Sequence, residues 1–145
     1  MAKAVSINRS LQFEQIVQKV AGEKAIIYEE SGKKLFPTIR EFLTFCALLG
    51  YRHGRKKPID KSLGTEDIQG VIYEDTEALE FIWLIGISET ADVNLLKDGN
   101  ERECANIFET YANAGLELIS NKLTGSPEEG WYSLLFEMTR DVVDG

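Results

Sequence analysis

The sequence predicts an all-α protein, a single-domain helical bundle spanning residues 1–145 with about five to six helices. Three observations predict it. Apolar residues recur three and four positions apart along nearly the whole chain, the spacing that lines one face of a helix. Sustained two-residue alternation, the mark of half-buried strands, is nearly absent. Residues suited to capping a helix, Ser, Thr and Asn, stand just before several of the apolar runs. A chain of 145 residues can bury a core without metals or crosslinks. Its 43% hydrophobic and 28% charged residues are the composition of a folded, soluble protein.

The first helix is expected to start at a Ser10 cap, to place Phe13, Ile16, Val17 and Val20 on one face and to stop near Gly22. "AIIY", Ala25 to Tyr28, fits either a short strand or a continuation of that helix. In "FPTIRE", Thr38 can cap the next helix while Glu41 reaches back to the cap's own amide. That helix carries Ile39, Phe42, Leu43, Cys46 and Leu49 on one stripe, with Gly50 as the left-handed residue that ends it. Thr65 with Glu66 and Asp67 reads as the start of a short helix through Val71 and Ile72. Thr76 with Glu77 opens a longer one, "EALEFIWLIGISETA", apolar most of the way round and therefore expected at the centre of the bundle. Asn100 caps a helix of about 20 residues carrying Cys104, Ile107, Phe108, Tyr111, Leu118 and Ile119. Within it, Ala112, Ala114 and Gly115 form a small-residue patch that lets another helix approach closely. The last helix is expected to use Ser126 as cap, Pro127 at its first position and Glu129 to complete a capping box, burying Trp131, Leu134, Leu135 and Met138.

Charge is distributed unevenly. Residues 1–61 hold 12 Lys plus Arg against 6 Asp plus Glu, a net of +6, while residues 62–145 hold 4 against 18, a net of −14. Such asymmetry points to a nucleic-acid or protein partner on the basic side. The densest cluster is "GYRHGRKKPID", Gly50 to Asp60, followed by Lys61. Its candidate nucleic-acid contacts are Arg52, His53, Arg55, Lys56, Lys57 and Lys61. Arginine and lysine donate to phosphate oxygens, Gly54 allows close backbone approach and Tyr51 offers an apolar contact. Five neutralised phosphates would give a duplex-binding salt slope of about −4 to −5. The plainer alternative is a solvated loop, or a surface that docks on an acidic protein. Some of these cations also suit the dipole of the helix that ends beside them.

Little in the chain suggests catalysis. His53, the sole histidine, sits among cations with no Ser or Cys neighbour to activate. Glu74, Asp75, Glu77 and Glu80 cluster as metal-binding acids do, but they also sit where a helix start favours negative charge. Glycine-rich phosphate loops and zinc spacing are missing, so no cofactor and no metal are expected. Cys46 and Cys104 fall on apolar stripes, as buried reduced thiols would. "NRS" at Asn8 matches a glycosylation acceptor only formally. No apolar run reaches the roughly 20 residues of a membrane helix and "MAKAVSINRS" lacks the apolar stretch of a signal peptide, so the expected compartment is the cytoplasm.

Two blocks carry a family resemblance. "FPTIREFLTFCALLGYRHGRKKPID" joins a helix to a leucine-glycine-aromatic turn and a basic loop closed by proline, and "IFETYANAGLELI" supplies a phenylalanine-glutamate-x-tyrosine-alanine-x-x-glycine segment. The chain thereby resembles the DNA phosphorothioation-associated proteins of the dnd system-associated protein 4 family, over roughly residues 35–123. It departs mildly where the pattern has two alanines and this chain has Cys46 and Ala47. The resemblance implies a bacterial accessory protein of a system that replaces a non-bridging phosphate oxygen of DNA by sulfur, and of the linked restriction machinery against foreign DNA. Other proteins of that system, and duplex DNA met through the basic loop, are the implied partners. It carries over no catalytic residue, and of the basic loop it carries Arg52, Arg55, Lys56 and Lys57. A pure protein-interaction module that never meets DNA is the rival expectation.

Overall fold

The computed structural model describes residues 7–27, 31–68 and 101–144. Strand β1 (Ile7–Ser10) opens the described chain and pairs antiparallel with β2 (Thr65–Ile68), Ile7 opposite Ile68 and Ser10 opposite Thr65. Ser10 caps as expected, its hydroxyl accepting the Gln12 amide at 3.1 Å. The first turn, Leu11–Phe13, is a 3₁₀ turn, and helix α1 (Glu14–Val20) follows it. Gly22, at φ 81°, turns the chain away from α1. Ala25 to Ile27 are neither strand nor helix: the Ile26 and Ile27 amides both donate to the Lys19 carbonyl, at 2.9 and 3.2 Å, which folds the segment back on the helix end.

Helix α2 (Ile39–Arg52) begins at Thr38, whose hydroxyl accepts the Glu41 amide at 3.0 Å. Its buried side, Phe42, Leu43, Phe45, Cys46, Ala47, Leu49 and Gly50, packs chiefly on α3 (Glu101–Thr124). Phe36 joins from the preceding segment, its ring 5.0 Å from Phe42 and 5.3 Å from Phe45. Each fully buried Phe or Leu of this set contributes about 2 kcal/mol. Helix α4 (Trp131–Asp144) closes the described core through Trp131 and Leu135.

The α2–α3 crossing is unusually close, and two glycines make it so. A Cβ at Gly115 would lie 1.9 Å from the Cys46 carbonyl oxygen, and one at Gly50 would lie 2.3 Å from the Tyr111 carbonyl oxygen. The small-residue patch of α3 is thus where α2 lies. Gly50 accordingly is no helix terminator: α2 continues two residues further, and the left-handed residue is Gly54.

Three further expectations are corrected. The helical class holds, but among the described residues the α-helices number four, not five to six, and a two-stranded sheet accompanies them. Thr65, Glu66 and Asp67 start no helix; they are β2, because β1 lies alongside to accept the pairing. Ser126 does not cap: Pro127, at ψ 145°, precedes a 3₁₀ turn, and the Ser126 carbonyl instead accepts the Trp131 indole at 3.0 Å. Val71, Ile72, the segment beginning at Thr76 and the Asn100 cap lie outside the described residues. Among the described residues no helix is long and apolar enough to cross a membrane, and no group of three or more His, Cys, Asp or Glu is placed to hold a metal ion.

Candidate functional site

The basic stretch begins in the last turn of α2 and runs to a small turn before β2. Backbone bonds alone fix its first part. The Gly54 amide donates to the Tyr51 carbonyl at 3.0 Å and the Arg55 amide to the Gly50 carbonyl at 2.9 Å. This pair of bonds around a left-handed residue is the Schellman ending, and glycine reaches the φ of 64° without a steric cost. Arg52, His53 and Arg55 therefore leave a firmly stopped helix, and all three are exposed.

Helix α3 holds the second part. The Lys57 amide donates to the Thr110 carbonyl at 3.0 Å. The Asn113 side-chain amide donates to the Lys57 and Pro58 carbonyls, at 3.1 and 3.3 Å. The Lys57 ammonium lies 3.1 Å from Glu117 Oε2. Thr110, Asn113 and Glu117 are spaced three and four apart, one stripe of α3. Asn113 is buried, and only its nitrogen can face two carbonyls, so its orientation is fixed.

The loop then closes on a turn in which Asp60 Oδ1 accepts the Ser62 amide at 3.0 Å and the Ser62 hydroxyl at 2.6 Å. Those two bonds, with a smaller contribution from the Lys57 charge, hold the Asp60 carboxyl below its ordinary range. The Leu11 amide donates to the Gly64 carbonyl at 3.0 Å, joining the loop's far end to the start of the 3₁₀ turn. Ile59 packs with Asn8, Arg9, Leu43, Glu109, Ala112, Asn113 and Leu116 around a crevice with no room for a water molecule, so it is not a small-ligand cleft.

The six cationic and histidine positions singled out from sequence run from the last residue of α2, Arg52, along the loop to the 3₁₀ turn that begins at Lys61, but they are not in one state. Arg52, His53, Arg55, Lys56 and Lys61 are exposed, whereas Lys57 is half-buried and paired. No ion-pair partner faces Arg52, Arg55 or Lys61 among the described residues. Tyr51 is less available than the sequence implies, since its ring stands edge-on to Tyr111 at 5.3 Å. Sequence reasoning missed Thr110, Asn113 and Glu117. The signal was there in Asn113, a polar residue between alanines in an otherwise apolar stretch.

Chemically, the loop offers guanidinium and ammonium donors suited to phosphate or carboxylate oxygens. Among the described residues His53 makes no hydrogen bond or ion pair with a side chain. The acids Glu74, Asp75, Glu77 and Glu80 lie outside the described residues.

The family model for DNA sulphur modification system-associated protein 4 matches residues 11–141. No curated protein and no solved structure matches the chain. The matched span takes in α1, α2, the basic loop and α3, and the two sequence blocks that carried the resemblance are the ones the fold brings together at the α2–α3 crossing. The chain belongs to the family of DNA sulphur modification system-associated protein 4.

Proposed function

We propose that this chain is a non-enzymatic accessory protein of a bacterial DNA phosphorothioation system and its linked restriction of foreign DNA, and that its basic loop contacts the phosphate backbone of duplex DNA. The observation that supports this most is a firmly held loop presenting Arg52, Arg55 and Lys61, exposed and unpaired among the described residues, with Lys56 exposed beside them. Such a surface binds phosphates without reading sequence, because backbone contacts position a protein on a duplex and carry no base information. With Lys57 engaged by Glu117, the three cations unpaired among the described residues, Arg52, Arg55 and Lys61, give a slope of log K against log salt of about −3. Titration of a fluorescent duplex, with and without a phosphorothioate linkage, across several salt concentrations checks this. Reversing Arg55 and Lys56 to Glu should abolish the slope; flat titrations of the wild type at low salt would overturn the DNA reading.

One observation favours a second reading. Leu11 and Leu63 are 38% and 49% exposed at the far end of the loop, and a phosphodiester backbone has nothing apolar to offer them. On this reading the loop docks on an acidic partner protein. Recovery of one stable protein partner after nuclease treatment, lost on Leu11→Ser with Leu63→Ser, is the outcome that would favour it.

A further inference from the structure

Lys57 belongs to the basic loop by sequence, yet α3 treats it differently from its neighbours. Its backbone is gripped on both sides, by the Thr110 carbonyl and by Asn113, and its ammonium is met by Glu117 at 3.1 Å. The Glu117 carboxylate has the same chemistry toward an ammonium as a phosphodiester oxygen: both are anionic acceptors. Both side chains of the pair are more than a third exposed, 36% for Lys57 and 39% for Glu117, so the Lys57 ammonium stands where a duplex backbone could reach it once the carboxylate no longer takes it.

We infer that Glu117 is an internal competitor for the DNA backbone, holding Lys57 out of the phosphate footprint and so setting how many cations the loop presents. This rests on the DNA reading above and deepens it: Glu117 touches no substrate, but it fixes affinity and salt sensitivity through Lys57. Asn113 contributes by pinning the loop backbone, which keeps the ammonium within reach of the carboxylate whatever the exposed part of the loop is doing.

The test is a thermodynamic cycle read in salt slopes on a duplex carrying ordinary phosphodiesters. Glu117→Gln should steepen the slope by about 1 unit, since each added phosphate contributes about 0.9, and tighten binding by up to about five-fold at low salt. Lys57→Gln should leave the wild-type slope unchanged, yet return the Glu117→Gln slope to the wild-type value, a coupling expected only of residues that interact. Glu103→Gln, an exposed carboxylate elsewhere on α3, controls for bulk charge and should do nothing to the slope.

The inference is overturned if Glu117→Gln keeps the wild-type slope, or if Lys57→Gln flattens the slope equally in both backgrounds. The two levels of failure are separable. A wild type that binds, loses its slope on reversal of Arg55 and Lys56, and ignores Glu117→Gln keeps the DNA reading and sinks only this inference. A wild type with no affinity for the duplex sinks both.

Discussion

Arg9 and Glu109 are charged side chains held inside the protein, and each is accommodated by a different arrangement. Arg9 reaches from β1 to Glu14 at the start of α1, with both nitrogen–oxygen distances 2.9 Å, while Gln18 donates to the same carboxylate at 2.7 Å. Burial is the largest single influence on Glu14 and pushes its pKa up, but the Arg9 and Gln18 bonds and the Arg9 charge together outweigh it, leaving the carboxyl below its ordinary value. Glu109 goes the other way. Burial raises it more than the Asn8 amide and Arg102 lower it; its carboxylate also covers the outward-facing Asn8 amide of β1 at 2.7 Å, so that strand edge is closed to further pairing.

Glu14→Gln should therefore cost about 2 kcal/mol at neutral pH, because a buried guanidinium loses its counter-charge. The sign of its pH dependence follows from the lowered pKa. The contribution of Glu14 is fully present above the ordinary carboxylate value and is lost as pH falls through the lowered folded value. The gap between wild-type and variant urea midpoints should narrow from pH 7 toward acid, and a gap independent of pH would contradict this. Glu109, raised, has the opposite dependence: its contribution is present at low pH and lost as pH rises through its folded value.

Among the elements, the α2–α3 pair depends on a contact that no side chain can soften. At Gly115 an added methyl would meet backbone atoms of Cys46, the oxygen at 1.9 Å and the carbonyl carbon at 2.6 Å, so the helices must separate to admit it. Gly115→Ala should cost about 3 kcal/mol or more, whereas Gly125→Ala, with nothing within 4 Å of the added atom, should stay within about 0.5 kcal/mol. Thermal melts of the two variants side by side check it. The sequence showed these helices well where the signal is local: the Ser10 and Thr38 caps and the apolar stripes of α1, α2 and α3 were all legible. It misled where the deciding partner is remote. "TED" at Thr65 has the composition of a helix start, but Ile7–Ser10 lies beside it and recruits it as a strand. Gly50 looks like a terminator until Tyr111 is known to press against it. The cations of the loop could be read directly, but the grip on Lys57 and Pro58 comes from Asn113, more than fifty residues away, and no linear spacing announces it.

On the scale of the whole molecule, a chain of net charge −8 holds 12 of its 16 cations in residues 1–61. The field of the rest of the protein opposes approach of any polyanion, so productive encounter depends on orientation, and ionic strength acts on steering as well as on final affinity. The proposed DNA contacts and the contacts that hold the fold fall on different side chains. Arg52→Glu with Arg55→Glu should leave the thermal midpoint close to wild type, since both side chains are exposed and unpaired among the described residues. Asn113→Ala should instead cost about 1 to 2 kcal/mol, because it strips donors from two carbonyls beside a buried position. Equal destabilisation by the two variants would show that the loop is part of the folding core after all.

The α2–α3 contact also gives the molecule a built-in clock. Cys46 sits at the crossing and Cys104 on α3, both fully buried, and burial pushes the Cys46 thiol well above its ordinary range. Only a thiolate reacts with alkylating or disulfide reagents, so modification of Cys46 waits until the two helices part. The unlabelled, unmutated protein thus reports its own opening, as a population when reclosing outpaces the reagent and as a rate when the reagent is faster, and a ligand that grips the loop at the end of α2 will register as a slower reaction at a sulfur it never touches.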